Sequence, residues 1–97
     1  MRAGFCVFMR VRVKPEKREE FIGLMRGLQR DVRANEPDTL VFEIAQGDDP
    51  LEFLFFEGFT DEAARERHQK MPYHVAVSPA GYACLAQDPQ IEFIRPI

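Results

Sequence analysis

The stretch that decides the fold runs from residue 51 to residue 60 and reads LEFLFFEGFT. Successive side chains of a strand point to opposite faces. One face of this predicted strand therefore carries Leu51, Phe53, Phe55 and Phe59. The opposite face carries Leu54 and Phe56. A strand that is apolar on both faces has to be covered on both, and a layer of helices covers only one of them.

The segments around this strand alternate between a period of two and a period of 3.6 residues. Strands are predicted at residues 4–13, 39–46, 51–60 and 90–94. Helices are predicted at residues 15–32, 62–68 and 74–86, with Asp61 as the N-cap of the second. Met71-Pro72-Tyr73 is expected to break the second helical region. Within residues 74–86 we expect a restart with Ser78 as N-cap and Pro79 in the first turn.

The predicted order is β-α-β-β-α-β, which is the ferredoxin-like pattern. The expected fold is α+β, a four-stranded antiparallel sheet with helices on one face. We read Leu40, Phe42, Ile44, Leu54 and Phe56 as one apolar set of the second and third strands. Such a set would leave an exposed patch on a lone domain, and a second copy packed sheet against sheet would cover it. The alternative is a monomer whose long side chains fold over the patch.

Composition and charge argue against several classes of function. The chain has 97 residues, which predicts one domain over residues 1–97, and a net charge of −3 without a basic tract. We therefore expect no nucleic-acid partner and no membrane partner. The sequence shows no signal peptide, so we expect a cytoplasmic protein. Cys6 and Cys84 are expected to be free buried thiols, with a disulfide as the alternative, and no metal site is expected.

Several short motifs resemble those of the antibiotic biosynthesis monooxygenase family. Residues 11–16 (VRVKPE) look like its first strand and Lys-Pro helix start, and residues 36–43 (EPDTLVFE) look like its Glu-Pro-Gly segment, with Asp38 in place of Gly. Residues 55–64 (FFEGFTDEAA), followed by His68 and by Pro72-Tyr73-His74, resemble its third strand and second helix. The Asp49-Pro50 turn matches as well.

This resemblance implies a dimeric α+β barrel. Members of the family include cofactor-independent oxygenases of quinols and anthrones, haem-degrading enzymes and a protein that processes a phosphorylated autoinducer-2. The haem-degrading branch relies on a Trp and on an Asn in the first strand. This chain has no Trp, and its only Asn is Asn35 in a predicted loop, so haem degradation is not expected.

The resemblance also implies candidate site residues. His68 and His74 lie where the family places its histidines, and a neutral imidazole can act as a base. The alternative for each is a structural histidine bound to Glu57 or to a backbone carbonyl, and pairing with Glu57 would raise its pKa. The remaining candidates for substrate binding are Tyr73, Tyr82, Glu57, Phe21 and Met25.

The expected function is cofactor-independent monooxygenation of a quinol or aromatic polyphenol, in a pocket between sheet and helices. His74 and His68 would be the catalytic groups, and no cofactor is expected. Two alternatives remain open. One is a non-catalytic dimer that binds a small metabolite, and the other is isomerase-like processing of a small phosphorylated signalling molecule.

Overall fold

The computed structural model describes residues 2–97. Its strands are β1 (Phe5–Arg12), β2 (Thr39–Gln46), β3 (Glu52–Phe59) and β4 (Gln90–Ile94). Its helices are α1 (Arg18–Asn35), α2 (Glu62–Lys70) and α3 (Pro72–Ala83), and a single 3-10 turn, Pro15–Lys17, leads into α1. All strand pairs are antiparallel, in the order β2-β3-β1-β4. The predicted ferredoxin-like α+β fold is confirmed.

The main core lies between α1 and the sheet. The apolar stripe of α1 is buried along its whole length and consists of Phe21, Met25, Leu28 and Val32. Its spacing of three and four residues places these side chains on one helix face. The Phe21 ring lies 5.1 Å from the Phe53 ring and 6.2 Å from the Phe55 ring. Each such buried side chain contributes about 1.5–3 kcal/mol.

The second helical region is broken at Met71, as predicted, and it does not restart again at Ser78. Asp61 caps α2, since its side chain accepts a hydrogen bond from the Ala64 amide at 2.8 Å. α3 starts with Pro72, whose missing N–H would have had no partner in a first turn. The expected restart at Ser78 and Pro79 is wrong, because Pro79 lies inside α3. The Ser78 hydroxyl donates to the His74 carbonyl at 2.7 Å instead of capping a new helix.

The helices leave one face of the sheet uncovered, which we call the open face. Its apolar side chains are Cys6, Phe8, Val41, Leu54, Phe56 and Ile94. The rings of Phe8 and Phe56 stack there with centroids 4.8 Å apart. The assignment of Phe42 and Ile44 to this face is wrong, because they lie opposite Glu57 and Phe55 on the helix side. Inter-strand register decides which positions share a face, and an irregularity in β2 between Thr39 and Val41 aligns Val41 with Gly58.

Both cysteines are free, as predicted. Cys84 is buried and its thiol contacts a Glu20 carboxylate oxygen at 3.6 Å. Burial and the neighbouring Glu20 raise the pKa of the Cys84 thiol, which makes it a poor nucleophile. Cys6 is only half-buried, because it lies on the open face. No helix in residues 2–97 is long and apolar enough to cross a membrane.

Candidate functional site

An apolar cavity of about 90 Å³ opens between α1, α3 and the sheet. Its floor comes from β1 and β3 through Met9, Val11 and Phe55. Its walls come from α1 and α3, mainly through Phe21, Met25, Val77, Gly81 and Tyr82. A Cβ atom added at Gly81 would lie 3.5 Å from the terminal methyl of Met25. The absence of a side chain at Gly81 therefore leaves this part of the cavity open. The cavity suits a small apolar or aromatic ligand.

His74 is the ionisable imidazole in the wall of this cavity. Burial and the adjacent His68 lower the pKa of His74 to about 4. The imidazole is therefore neutral at pH 7 and can accept a proton. The Ser78 hydroxyl lies 3.4 Å from His74 Nδ1, and its own proton is donated to the His74 carbonyl at 2.7 Å. This arrangement favours the neutral tautomer with its proton on Nδ1, where the Ser78 oxygen can accept it. Nε2 is then the nitrogen that can take up a proton.

Behind His74 lies His68, which does not reach the cavity. The two imidazoles meet edge to face with centroids 4.6 Å apart. His68 is held between the rings of Phe42 and Phe59, at 5.2 Å and 5.4 Å. Its Nδ1 lies 2.8 Å from Glu36 Oε1. Burial nevertheless outweighs the attraction of this carboxylate and lowers the pKa of His68.

Glu36 joins the end of α1 to β2, α2 and α3. Its carboxylate accepts a hydrogen bond from the Thr39 hydroxyl at 2.7 Å, in addition to the contact with His68. The Tyr73 hydroxyl donates to the other carboxylate oxygen. Burial and this hydrogen bond raise the pKa of Tyr73, so its hydroxyl keeps its proton. We call Glu36, His68, Tyr73 and Thr39 the buried network, because the side chains of His68 and Glu36 at its centre are only 2% and 7% exposed. Tyr73 and Thr39 at its edge are half-buried.

Glu57 lies beside the buried network without a direct hydrogen bond to His68. Its Oε1 is 3.8 Å from His68 Nε2, which is too long for a hydrogen bond. Burial raises the pKa of Glu57 to about 7, against the attraction of Arg65 and with a smaller contribution from Glu36. The alternative in which a histidine bonds Glu57 is therefore not found, and the rise in pKa that such a bond would cause is absent, since the pKa of both histidines is lowered.

The raised pKa of Glu57 predicts a specific pH dependence of stability. In the unfolded chain Glu57 ionises near its ordinary pKa of 4.5, whereas in the folded chain it ionises near 7. The folded state therefore binds more protons between these values, and the contribution of Glu57 to stability falls as pH rises through this window, by about 3 kcal/mol. Glu57→Gln keeps the shape of the protonated acid and removes this loss.

Chemical denaturation of the wild-type protein and Glu57→Gln at pH 5 and pH 8 tests this dependence. The stability of the variant relative to wild type should increase by about 2–3 kcal/mol between the two pH values. His68 and His74 titrate in the opposite sense, because a lowered histidine pKa costs stability as pH falls. They are present in both proteins, so the difference isolates Glu57. A difference that does not change with pH would contradict the assignment.

The structure thus divides the residues predicted from the sequence into two groups. The cavity brings together His74, Tyr82, Phe21 and Met25. His68, Tyr73 and Glu57 lie outside its lining, in or beside the buried network. Residues 2–97 contain no cluster of His, Cys, Asp or Glu suited to a metal ion.

Sequence reasoning missed Glu36, which holds the buried network together. In the sequence, Glu36 stands out only as the first residue of the Glu-Pro segment at residues 36–43. The sequence shows Glu36 only as a carboxylate next to a helix end. Because such residues are usually exposed to solvent, this position did not predict a buried role. Its burial depends on the long-range approach of α2 and α3, which periodicity does not reveal.

A family model described as antibiotic biosynthesis monooxygenase matches residues 4–80. The chain belongs to this family. The motifs that resemble this family, from the Lys-Pro helix start to the Pro-Tyr-His segment, all lie within the matched residues. A comparison with curated proteins found no match.

Solved structures agree with the family assignment. A "putative antibiotic biosynthesis monooxygenase" from Caulobacter crescentus superposes with a TM-score of 0.92 at 25% identity, covering 99% of this chain and 92% of that one. A crystal structure described as antibiotic biosynthesis monooxygenase gives a TM-score of 0.89 at 26% identity, covering 96% and 98%. A conserved protein from Methanosarcina mazei Go1 has a TM-score of 0.89 at 23% identity, covering 96% and 92%, and supports the fold alone.

Proposed function

We propose that this family member is a cofactor-independent monooxygenase of a quinol with one aromatic ring. In this reaction the quinol and O₂ give a hydroxyquinone and water. One oxygen atom enters a ring C–H bond, the other leaves as water, and the four electrons come from the substrate. The reaction needs a base for the phenolic proton and an apolar site for the anion that results.

The cavity wall is the observation that carries this proposal. A neutral imidazole, His74, faces an otherwise mainly apolar cavity. In our proposal His74 Nε2 accepts the proton of the quinol hydroxyl, and the electron-rich anion then reacts with O₂. Removing water strengthens the hydrogen bond between the imidazolium and the anion, because the local dielectric is low. The volume of about 90 Å³ favours one ring over the polycyclic anthrones.

Oxygen consumption tests the proposal. Chelator-treated protein, without flavin or added metal, is mixed with methylhydroquinone in an oxygen electrode. We expect O₂ uptake that saturates with quinol and exceeds the autoxidation rate measured without protein. Rates equal to autoxidation for methylhydroquinone, hydroquinone and catechol would overturn the proposal.

The low pKa of His74 favours a second candidate, a binding protein without chemistry. A histidine whose pKa is about 4 accepts a hydrogen bond readily but is a weak base for a phenol. Saturable thermal stabilisation by the quinol, without O₂ uptake, would support this candidate. A phosphorylated ligand is less well supported, because no Lys or Arg of residues 2–97 lines the cavity.

We also propose that two copies pack through their open faces. Three or four apolar side chains from each copy would contribute on the order of 5–10 kcal/mol of gross burial, before the costs of docking. Phe56→Asp places a charge at the centre of this face, and we expect it to convert a dimer into a monomer in sedimentation at micromolar concentration. Val75→Asp, a charge on the exposed surface of α3, is the control and should leave the dimer intact. A wild-type monomer would contradict the proposal.

A further inference from the structure

Four exposed apolar side chains lie around the cavity on the helix side of the sheet, with the Arg65 guanidinium over one of their rings, Phe93, at 4.9 Å. We call these four side chains the apolar strip. It consists of Val75 and Tyr82 on α3 and of Ile91 and Phe93 on β4, which are 58%, 57%, 44% and 50% exposed. In residues 2–97 the other exposed large apolar side chains are Leu54 on the open face and Ile97 near the chain end. Exposed apolar side chains scattered singly are ordinary, but a contiguous group marks a binding surface.

The strip is continuous with the mouth of the cavity. Tyr82 belongs to both, since it lines the cavity and is exposed. Ile91 lies directly opposite Met9 in the pairing of β1 with β4, and Met9 also lines the cavity. Val75 lies seven residues before Tyr82 and therefore on the same face of α3. A ligand that leaves the cavity on this side meets the strip at once.

The size of the cavity limits what can be enclosed. An engineered cavity of about 150 Å³ accommodates benzene, whereas this one measures about 90 Å³ and is open at one side. The flexible side chains of Met9 and Met25 can adjust to one six-membered ring. Any substituent longer than a methyl group has to pass out through the mouth.

We propose that the ligand of this site is a phenolic ring that carries an alkyl or prenyl chain, and that the chain lies along the apolar strip. The ring in this assignment rests on the proposed function, whereas the chain rests on the position and exposure of the strip. The strip thus determines specificity, and His74 acts only on the ring.

Calorimetric titration with 5-alkylresorcinols tests the proposal below the concentration at which the ligands form micelles. A fully buried methylene tightens binding about fourfold. A chain that is covered on one side should gain about half of that free energy, or about twofold per methylene. We therefore expect 5-pentylresorcinol to bind about 16-fold more tightly than 5-methylresorcinol.

Ile91→Ser should reduce this gain to a few-fold and leave the affinity for 5-methylresorcinol unchanged. Val75→Ser on α3 is a second variant with the same expectation, in case the change in β4 disturbs folding. Ile97→Ser is the matched control, outside the strip, and should keep the full gain. Circular dichroism confirms that each variant is folded.

Three results would overturn the proposal. They are equal affinities for the methyl and pentyl ligands, a gain that persists in both strip variants, and no binding by any member of the series. If a second copy covers the strip instead, the gain is absent and Ile91→Ser weakens self-association in sedimentation. Chain-dependent binding of the resorcinols, together with no O₂ consumption from methylhydroquinone above autoxidation, would refute the monooxygenase and leave the ligand class standing.

Discussion

Glu36→Leu is expected to lower the free energy of unfolding by about 3–5 kcal/mol. The substitution removes the acceptor of the Tyr73 hydroxyl and of His68 Nδ1, of which His68 is fully buried and Tyr73 is half-buried. A buried donor that loses its partner costs about 1–3 kcal/mol, and the Thr39 hydroxyl loses a bond as well. Leu fills most of the space that the carboxylate occupied, so the loss reflects hydrogen bonding rather than volume.

Thermal and urea denaturation at pH 7 measure this loss. For a domain of this size 1 kcal/mol corresponds to about 4–8 °C, so a fall in Tm of about 12–40 °C is expected. Glu43→Leu is the matched control, because Glu43 is an exposed carboxylate of β2 that pairs only with Arg33 at 2.9 Å. Exposed ion pairs contribute about 0–1 kcal/mol. Similar losses for Glu36 and Glu43 would show that the buried network adds little.

His74→Ala is expected to slow quinol-dependent O₂ consumption about 100-fold to 10,000-fold. This is the usual contribution of a positioned general base, and no other imidazole lines the cavity within residues 2–97. The effect should fall on kcat, since the apolar walls that bind the ring remain. At a pH high enough to ionise the quinol, the substitution should slow O₂ consumption less, because the ionised quinol needs no base.

The comparison with Tyr82→Phe distinguishes a base from a general effect of altering the cavity. Tyr82 also lines the cavity but keeps its ring in this variant, so we expect a change of less than about 10-fold. His74→Ala should remain folded, because the His74 side chain makes only one long polar contact, at 3.4 Å to Ser78, besides its edge-to-face packing on the His68 ring. An unchanged rate in folded His74→Ala would exclude His74 as the base.

Periodicity predicted the elements well where one strong pattern governed a segment. The structure contains both the buried stripe of α1 and the alternation in residues 51–60. The register of β2 could not be predicted, since Phe42 and Leu54 share a parity in the sequence and yet lie on opposite faces. Register depends on pairing between strands and on an irregularity near Thr39.

The candidate site was predicted only in part, for a similar reason. Phe21, Met25, His74 and Tyr82 reach the cavity because α1 and α3 both pack on the sheet. From the sequence, Glu57 or a backbone carbonyl was the alternative partner of each histidine. Glu36 takes that role through a contact across 32 positions of the chain. Contacts of this kind follow from tertiary packing and not from local spacing.

The fate of labelled oxygen tests the central claim most directly. Chelator-treated protein is given methylhydroquinone under ¹⁸O₂, and the product is analysed by mass spectrometry. We predict a hydroxyquinone that contains one ¹⁸O atom, with the second atom in water, and a loss of this product in His74→Ala. A quinone without ¹⁸O, formed with hydrogen peroxide, or no product above the protein-free rate would contradict the account.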